Sequence, residues 1–348
     1  MVTLGVDAHK TTHTVVAVDD NGRQIGTTTV KATSAGHLVA FRWASRFRDR
    51  CWALEDCRHV TRRLERELLG SGERVIRVPP KLTAGARRSA RTRGKSDPID
   101  ALAVARAALR EPGLGVARLD GPARDVRLLV DHREDLVAER TRAQNRLRWH
   151  LHELDPELGI PPSALKRYRT LAQLEGRFGA VPDVVGQLVV VLARRCGELT
   201  RDIKELETRI TQLVAPLAPN LLALPGCGAL TAAKLIGETA DVRRFRHKGA
   251  FAMFNGTAPV PVWSGNTTRH RLNRGGNRQL NTALHRILVT QMRCHPPARA
   301  YLQRRMAHGN TKTEAIRALR RQLSDIVYQR LREDSHDHHA TSALRAAA

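Results

Sequence analysis

This chain of 348 residues is short of acid, of aromatics, of cysteine and of long apolar runs. Each shortage removes a class of protein. Five cysteines (Cys51, Cys57, Cys196, Cys227 and Cys294), scattered and odd in number, build neither a disulfide framework nor a paired CxxC zinc pattern. Cys51, Cys57 and His59 are near enough in sequence to be weighed as metal ligands, but buried, inert thiols are the simpler reading. No apolar stretch is long enough to span a bilayer and no signal peptide opens the chain, so the expected location is cytoplasmic, with no membrane partner. Asp and Glu number 34 against 59 Lys and Arg, for a formal net charge of +25. That excess points to a polyanionic partner, because neutralising phosphates releases counterions and drives association. With aromatics at only 4%, backbone contact is favoured over extensive base stacking.

The acids that are present fall at particular places. Lys95-Ser96-Asp97-Pro98-Ile99-Asp100-Ala101 reads as a helix start, with Asp97 as cap and Pro98 as the first helical residue. Asp100 comes three positions later, so both carboxylates point from the opening turn toward one spot. A variant capping box explains the pair as well, with Asp100 near the positive helix end. On this segment alone both readings stay open.

Upstream, an apolar run over 2–6 ends in Asp7, and a β-prone run over 14–18 leads to Asp19-Asp20-Asn21-Gly22 and an extended stretch over 24–30. Asn-Gly between such runs is a strong hairpin signal. A helix over 37–47 precedes a strand over 51–54 that ends in Glu55; a helix over 60–69 is stopped by Gly70-Ser71-Gly72, and a strand over 74–78 follows. Residues 81–95 are basic without apolar periodicity, which predicts a loop or a nucleic-acid-facing segment. The Asp97 helix then runs to about 110. This order resembles the ribonuclease-H-like fold, in which one carboxylate ends the first strand, one ends the fourth and the rest sit on the closing helix. Asp7, Glu55, Asp97 and Asp100 occupy those places. Hard oxygen ligands suit Mg²⁺ or Mn²⁺, and two such ions about 4 Å apart clamp the attacking and leaving oxygens of a phosphodiester. Lys10 reads as a phosphate contact or a solvated side chain.

Residues 120–153 form an arginine-rich helical pattern, broken by Pro156, Gly159, Pro161 and Pro162. In a second helix over 184–213, Leu199, Ile203, Leu206, Ile210 and Leu213 alternate four- and three-residue steps, a coiled-coil seam of about two heptads. Packing within the chain and dimerisation both satisfy it. Residues 224–235 resemble a helix-hairpin-helix element whose Gly226 and Gly228 let backbone N–H groups approach a phosphate; a plain glycine turn is the alternative. Residues 254–280 carry Ser264-Gly265, then Arg269, Arg271, Arg274 and Gly275-Gly276-Asn277-Arg278. The segment reads either as a polar turn on a basic surface or as a nucleophilic Ser264 with guanidinium groups to hold the attacked phosphate. No Gly-x-Ser-x-Gly elbow occurs. Helices over 279–292 and 313–331 close the chain, and a disordered tail is expected beyond 333.

Together these features resemble, across nearly the whole chain, the DEDD-type insertion-sequence transposases, relatives of the Piv/MooV invertases and known as bridge-RNA-guided recombinases. The acidic motifs match at Gly5-Val6-Asp7, Leu54-Glu55 and Asp97-Pro98-Ile99-Asp100, the serine motif at Pro259 and Ser264-Gly265, and the downstream signature at Gly276-Asn277-Arg278. Trp263 and Asn266 depart from the family, which often has a small or polar residue and a glycine there, and Asp56-Cys57-Arg58 replaces the frequent Ala-Thr-Gly. The resemblance implies an α/β fold plus an all-α part: a ribonuclease-H-like (RuvC-like) catalytic domain over 1–112, a helical/coiled-coil connector over 120–217, a mostly helical C-terminal domain over 218–333 with the nucleophilic serine, and a tail over 334–348. It implies Asp7, Glu55, Asp97 and Asp100 as metal ligands, Ser264 forming a 5′-phosphoserine, and nucleic-acid contacts from Lys95, Gly226, Gly228, Arg269, Arg271, Arg274, Asn277 and Arg278. The implied partners are donor and target DNA, a noncoding guide RNA and further copies of the chain, a homodimer assembling to a homotetramer. Two other readings compete: a junction-resolving nuclease using metal and water, and a non-enzymatic nucleic-acid binder.

Overall fold

The computed structural model describes residues 1–55, 59–88, 96–111, 113–119, 121–180, 182–265 and 267–347, with the backbone alone at 264, 267–269 and 337–347. It divides into two compact units, Met1–Asp120 and Gly121–Ala348. The first contains β1 (Val2–Ala8), β2 (Thr12–Val18), β3 (Gln24–Lys31), α1 (Ser34–Ala44), β4 (Arg50–Glu55), α2 (Arg62–Gly70), β5 (Val75–Val78), α3 (Pro80–Arg88) and α4 (Asp97–Arg110).

The strands form one sheet in the order β3-β2-β1-β4-β5. β1 runs antiparallel to β2 and parallel to β4, and β4 is parallel to β5. The Asn21-Gly22 turn joins β2 to β3 as expected: Gly22 takes a φ of 74°, and the Asp19 carboxylate accepts from the Asn21 and Arg23 N–H groups at 3.0 and 2.8 Å. Both faces of the sheet are covered, which is why β1, β2 and β4 read as nearly continuous apolar runs. Leu4, Val6, Trp52 and Leu54 face Ala40 and Ala44 of α1 and Leu64 and Leu68 of α2. On the other face Val16 and Val18 meet Ala101 and Ala105, and Ala53 and Val78 meet Val104 and Ala107, all four from α4.

Two local expectations are corrected in this unit. Residues 81–88 are helical, not loop, because Pro80 starts α3 and Leu82 and Ala86 pack against the core beneath α4. Only 89–95, including Lys95, lie outside the described residues. The cap of α4 is Ser96 rather than Asp97, which is already helical; no side chain caps the first turn, so the capping-box explanation of the aspartate pair does not hold.

The second unit contains α5 (Pro122–Leu154), α6 (Tyr168–Phe178), α7 (Val184–Leu217), α8 (Pro219–Leu222), α9 (Ala229–Thr239), α10 (Lys248–Asn255), β6 (Pro259–Ser264), β7 (Thr267–Leu272), α11 (Arg278–Cys294), α12 (Pro296–Ala307) and α13 (Lys312–Ala347). α5 and α7 lie antiparallel, tied by Arg133 to Glu207 and Arg195 to Glu139. The segments expected as 120–217 and 218–333 therefore share one compact unit. At one end of this pair α6 closes a core of Leu147, Leu151, Leu171, Leu174 and Phe178. At the other, Val126, Val130, Ile210 and Val214 join Leu235, Phe251, Leu284, Ile287, Leu323 and Val327 in the largest core of the chain.

α6, α12 and the β6–β7 hairpin are elements that the periodicity did not suggest. The tail is corrected too: α13 continues past 334 to Ala347, and Asp334 is buried, accepting from the Asn220 and Leu221 N–H groups at 2.8 and 3.2 Å. That carboxylate satisfies orphan donors of α8's first turn, so it belongs to the core rather than to a loose end. Among the described residues no helix is long and apolar enough to cross a membrane.

Candidate active site

Parallel pairing of β1 with β4 sets Gly5 beside Ala53 and Val6 beside Leu54. Asp7 and Glu55 are the next residues on each strand, so they leave the sheet side by side at its carboxyl end. Strand alternation puts both on the face that α4 covers. Gly5 explains how closely that helix approaches. A Cβ on it would stand 2.2 Å from the Ala101 carbonyl oxygen and 2.5 Å from the Ala105 nitrogen. Backbone-to-backbone contact at Gly5 brings the first turn of α4, with Asp97 and Asp100, to the end of β1.

Three potential ligands then converge: Asp7, His9 and Asp97 each present an atom, and these atoms lie within 4.8 Å of one another. His9 bridges the acids, its Nε2 standing 3.1 Å from Asp7 Oδ2 and 3.3 Å from Asp97 Oδ1. Asp100 receives the Arg87 guanidinium from α3 at 2.9 Å. Glu55 is half-buried at the end of β4. Burial raises the Asp7 pKa above its ordinary value; His9 opposes this, and the charges of Asp100 and Asp97 push it further up. Clustered carboxylates under mutual repulsion form a donor set that fits a hard divalent cation such as Mg²⁺ or Mn²⁺, and the His9 imidazole beside them is a softer donor.

His9 and Arg87 escaped the sequence reading. His9 follows Asp7 by two positions, so strand alternation alone would have put it on the same side. Arg87 lies in a basic segment without apolar periodicity, so nothing local marks it as helical. Burial keeps three of the thiols protonated, pushing Cys51 and Cys196 up to about 11 and Cys227 up to about 12. Cys57 lies outside the described residues.

The other candidate residues belong to the second unit. Ser264 ends β6, opposite Thr267, and Gly265 turns the hairpin at a φ of 58°. Register sets Arg269 opposite Val262 and Arg271 opposite Val260. Arg271, Arg274 and Arg278 are exposed. Asn277 is committed elsewhere: its side chain caps α11 by accepting from the Leu280 N–H and donates to Glu238 at 2.7 Å. Gly276 lets two backbone segments cross, since a Cβ there would lie 2.3 Å from the Gly256 nitrogen. Two residues of the Gly276-Asn277-Arg278 signature thus have structural duties, and Arg278 alone remains open to solvent. Gly226 occupies the turn before α9 at a φ of 85°, and Gly228 is the cap of that helix.

Two family profiles match the chain: one described as a transposase over residues 4–156, the other as the transposase IS116/IS110/IS902 family over residues 218–303. The chain is 28% identical to the uncharacterized 44.8 kDa protein of insertion element IS116 from Streptomyces clavuligerus, over 95% of this chain and 94% of that protein. It is 25% identical to the uncharacterized 42 kDa protein of insertion element IS900 from Mycobacterium paratuberculosis, over 99% of each. A transposase for insertion sequence element IS1328 from Yersinia enterocolitica is 26% identical over 67% of each chain. Among solved structures, T. thermophilus RuvC in complex with Holliday junction substrate aligns with 32% of this chain and 94% of its own, at 18% identity and a TM-score of 0.25. The chain is thus an insertion-sequence transposase. It belongs to the IS110/IS116 family.

Proposed function

We propose that this transposase cuts and rejoins DNA through a phosphoserine formed on Ser264, assisted by the acid set of the ribonuclease-H-like N-terminal unit. The observation that carries the reading is the convergence of Asp7, His9 and Asp97 within 4.8 Å at the carboxyl end of β1. Asp7, Glu55 and Asp97 would hold a divalent ion, and Asp100, paired with Arg87, would complete the set or act as base. When bound, the ion supplies Lewis-acid polarisation and charge stabilisation of the phosphodiester.

The Ser264 hydroxyl oxygen bonds to phosphorus as the P–O3′ bond breaks, leaving a 5′-phosphoserine. The serine proton passes to a carboxylate of the acid set, and the departing 3′ oxygen is protonated to a free 3′-hydroxyl. A 3′-hydroxyl from another strand then attacks the phosphoserine, joining the DNA and restoring the serine. Arg269, Arg271, Arg274 and Arg278 bind phosphate oxygens, with Gly226 and Gly228 as a further backbone contact in a helix-hairpin-helix arrangement. The acids of one subunit serve the serine of another, within a dimer of dimers. A noncoding RNA pairs with donor and target DNA, so that base pairing chooses sequence while the protein holds backbone and shape.

The test uses a supercoiled plasmid carrying the insertion element with the full-length protein and Mg²⁺. Wild type is expected to give a covalent protein–DNA adduct, and Ser264→Ala none, with RNA and DNA binding retained. Full strand exchange by Ser264→Ala would remove the serine from the mechanism. Free cut ends without any adduct would put water in its place.

A further inference from the structure

The β6–β7 hairpin has two unlike faces. Strand alternation puts backbone positions 260, 262, 264, 267, 269 and 271 on one side of the ribbon, where the described side chains are Val260, Val262 and Arg271. The opposite side carries Pro259, Pro261 and Trp263 on β6, and His270 and Leu272, with backbone position 268, across from them on β7. That second side has no Lys, Arg, Asp or Glu, and Trp263 is 75% exposed. A large indole thus stands in water one residue before the serine, in a chain whose aromatic content is 4%. Trp52, by contrast, is fully buried in the sheet core, and Trp43 is covered by the Arg46 guanidinium at 4.3 Å.

Strand exchange requires that bases beside the cut leave one duplex and pair in another. During that passage a base needs a surface to replace its lost stacking neighbour. An exposed indole serves this without sequence preference, because every base has a π-face. A two-stranded ribbon is also narrow enough to enter a DNA groove. Resting on the serine mechanism proposed above, we propose that the hairpin enters DNA with its faces divided: the arginine and serine side lies on the backbone, and Trp263 stacks on the base next to the attacked phosphate. Trp263 is then a positioning residue, holding the phosphodiester still relative to Ser264 by pinning its neighbouring base.

The stacking test is separate from the chemistry. Full-length Ser264→Ala protein, unable to form the adduct, is mixed with a single-stranded DNA oligonucleotide containing 5-iododeoxyuridine, irradiated and mapped by peptide mass spectrometry. The expected crosslink is at Trp263; it should vanish in Ser264→Ala/Trp263→Ala and persist in Ser264→Ala/Trp149→Ala, which removes an equally exposed indole on α5. The melting temperature should be the same in all three proteins, since both side chains lie at the surface. Crosslinks that avoid Trp263, an undiminished yield without it, or Trp263 crosslinks formed with the matching RNA oligonucleotide but not with DNA would each overturn the proposal. In the serine-intact protein, Trp263→Ala should slow adduct formation about 10- to 100-fold, in line with the stacking of one base, and Trp263→Phe should recover most of the rate. Equal rates for Trp263→Ala and wild type would also overturn it. If wild type forms no adduct, the serine mechanism falls, while the crosslink still reports on the hairpin.

Discussion

Asp7 is held at a disadvantage by its own neighbours. Burial raises its pKa, His9 moderates the effect, and Asp100 and Asp97 add to it. A carboxyl whose folded-state pKa lies above its unfolded value destabilises the fold once ionised. That penalty is absent below the ordinary carboxylate range, appears as pH rises toward the folded pKa, and persists in full above it. Asp7→Asn should therefore melt higher than wild type at pH 7 in EDTA and level with it near pH 3. Adding Mn²⁺ should raise the wild-type melting temperature and leave Asp7→Asn unmoved. An equal Mn²⁺ increment in both proteins would take Asp7 out of the ligand set.

The same scale separates residues that look alike in sequence. Asn277 and Arg278 are neighbours in one motif, yet Asn277 caps α11 and bonds Glu238 while Arg278 is exposed. Buried polar groups must be paired, and Asn277 answers to that requirement before any ligand.

Among elements, the contact between α4 and β1 determines where the acids meet. Ala101 and Ala105 present small side chains, and Gly5 presents none, so the helix backbone rests directly on the strand. Gly5→Ala places a methyl group 2.2 Å from a carbonyl oxygen, and the helix has to move to admit it. Overpacking of this kind costs about 1–3 kcal/mol. The expected outcome is that loss in urea unfolding, together with weaker Mn²⁺ binding in calorimetry because Asp97 and Asp100 are displaced from Asp7. Unchanged ion affinity would show that the site tolerates a shifted α4. In the second unit, α5 and α7 cover each other's apolar stripes in antiparallel array, and the seam residues Leu199, Ile203 and Ile210 are buried within this one chain.

For the molecule as a whole, a net charge of +25 acts before any local chemistry. Several arginines are paired internally, as Arg77 is with Glu65 and Arg133 with Glu207, while others on the hairpin and at the start of α11 face solvent. Binding to a duplex of arbitrary sequence should thus weaken steeply with salt. A footprint of about six phosphates predicts a loss of roughly 10³ in affinity between 50 and 200 mM salt. Fluorescence anisotropy would measure this slope, and a change of less than about tenfold would mean that the excess charge does not engage phosphate.

Much of the first unit was legible because its signals are local. Short, nearly continuous apolar runs, the Asn21-Gly22 turn and the proline at the start of α4 each act within a few residues, so strand ends and the positions of Asp7, Glu55, Asp97 and Asp100 along the elements follow from the chain itself. The family motifs were legible for the same reason, since they are short and contiguous. Tertiary structure decided the rest. Asp97 joins Asp7 and His9 only because α4 packs across the end of β1, and Arg87 reaches Asp100 only because a basic stretch folds onto that core as a helix. Asp334 leaves the expected tail because a distant helix start needs its carboxylate. Proximity between residues far apart in sequence comes from packing, and packing depends on every surface at once; a local pattern carries no record of it.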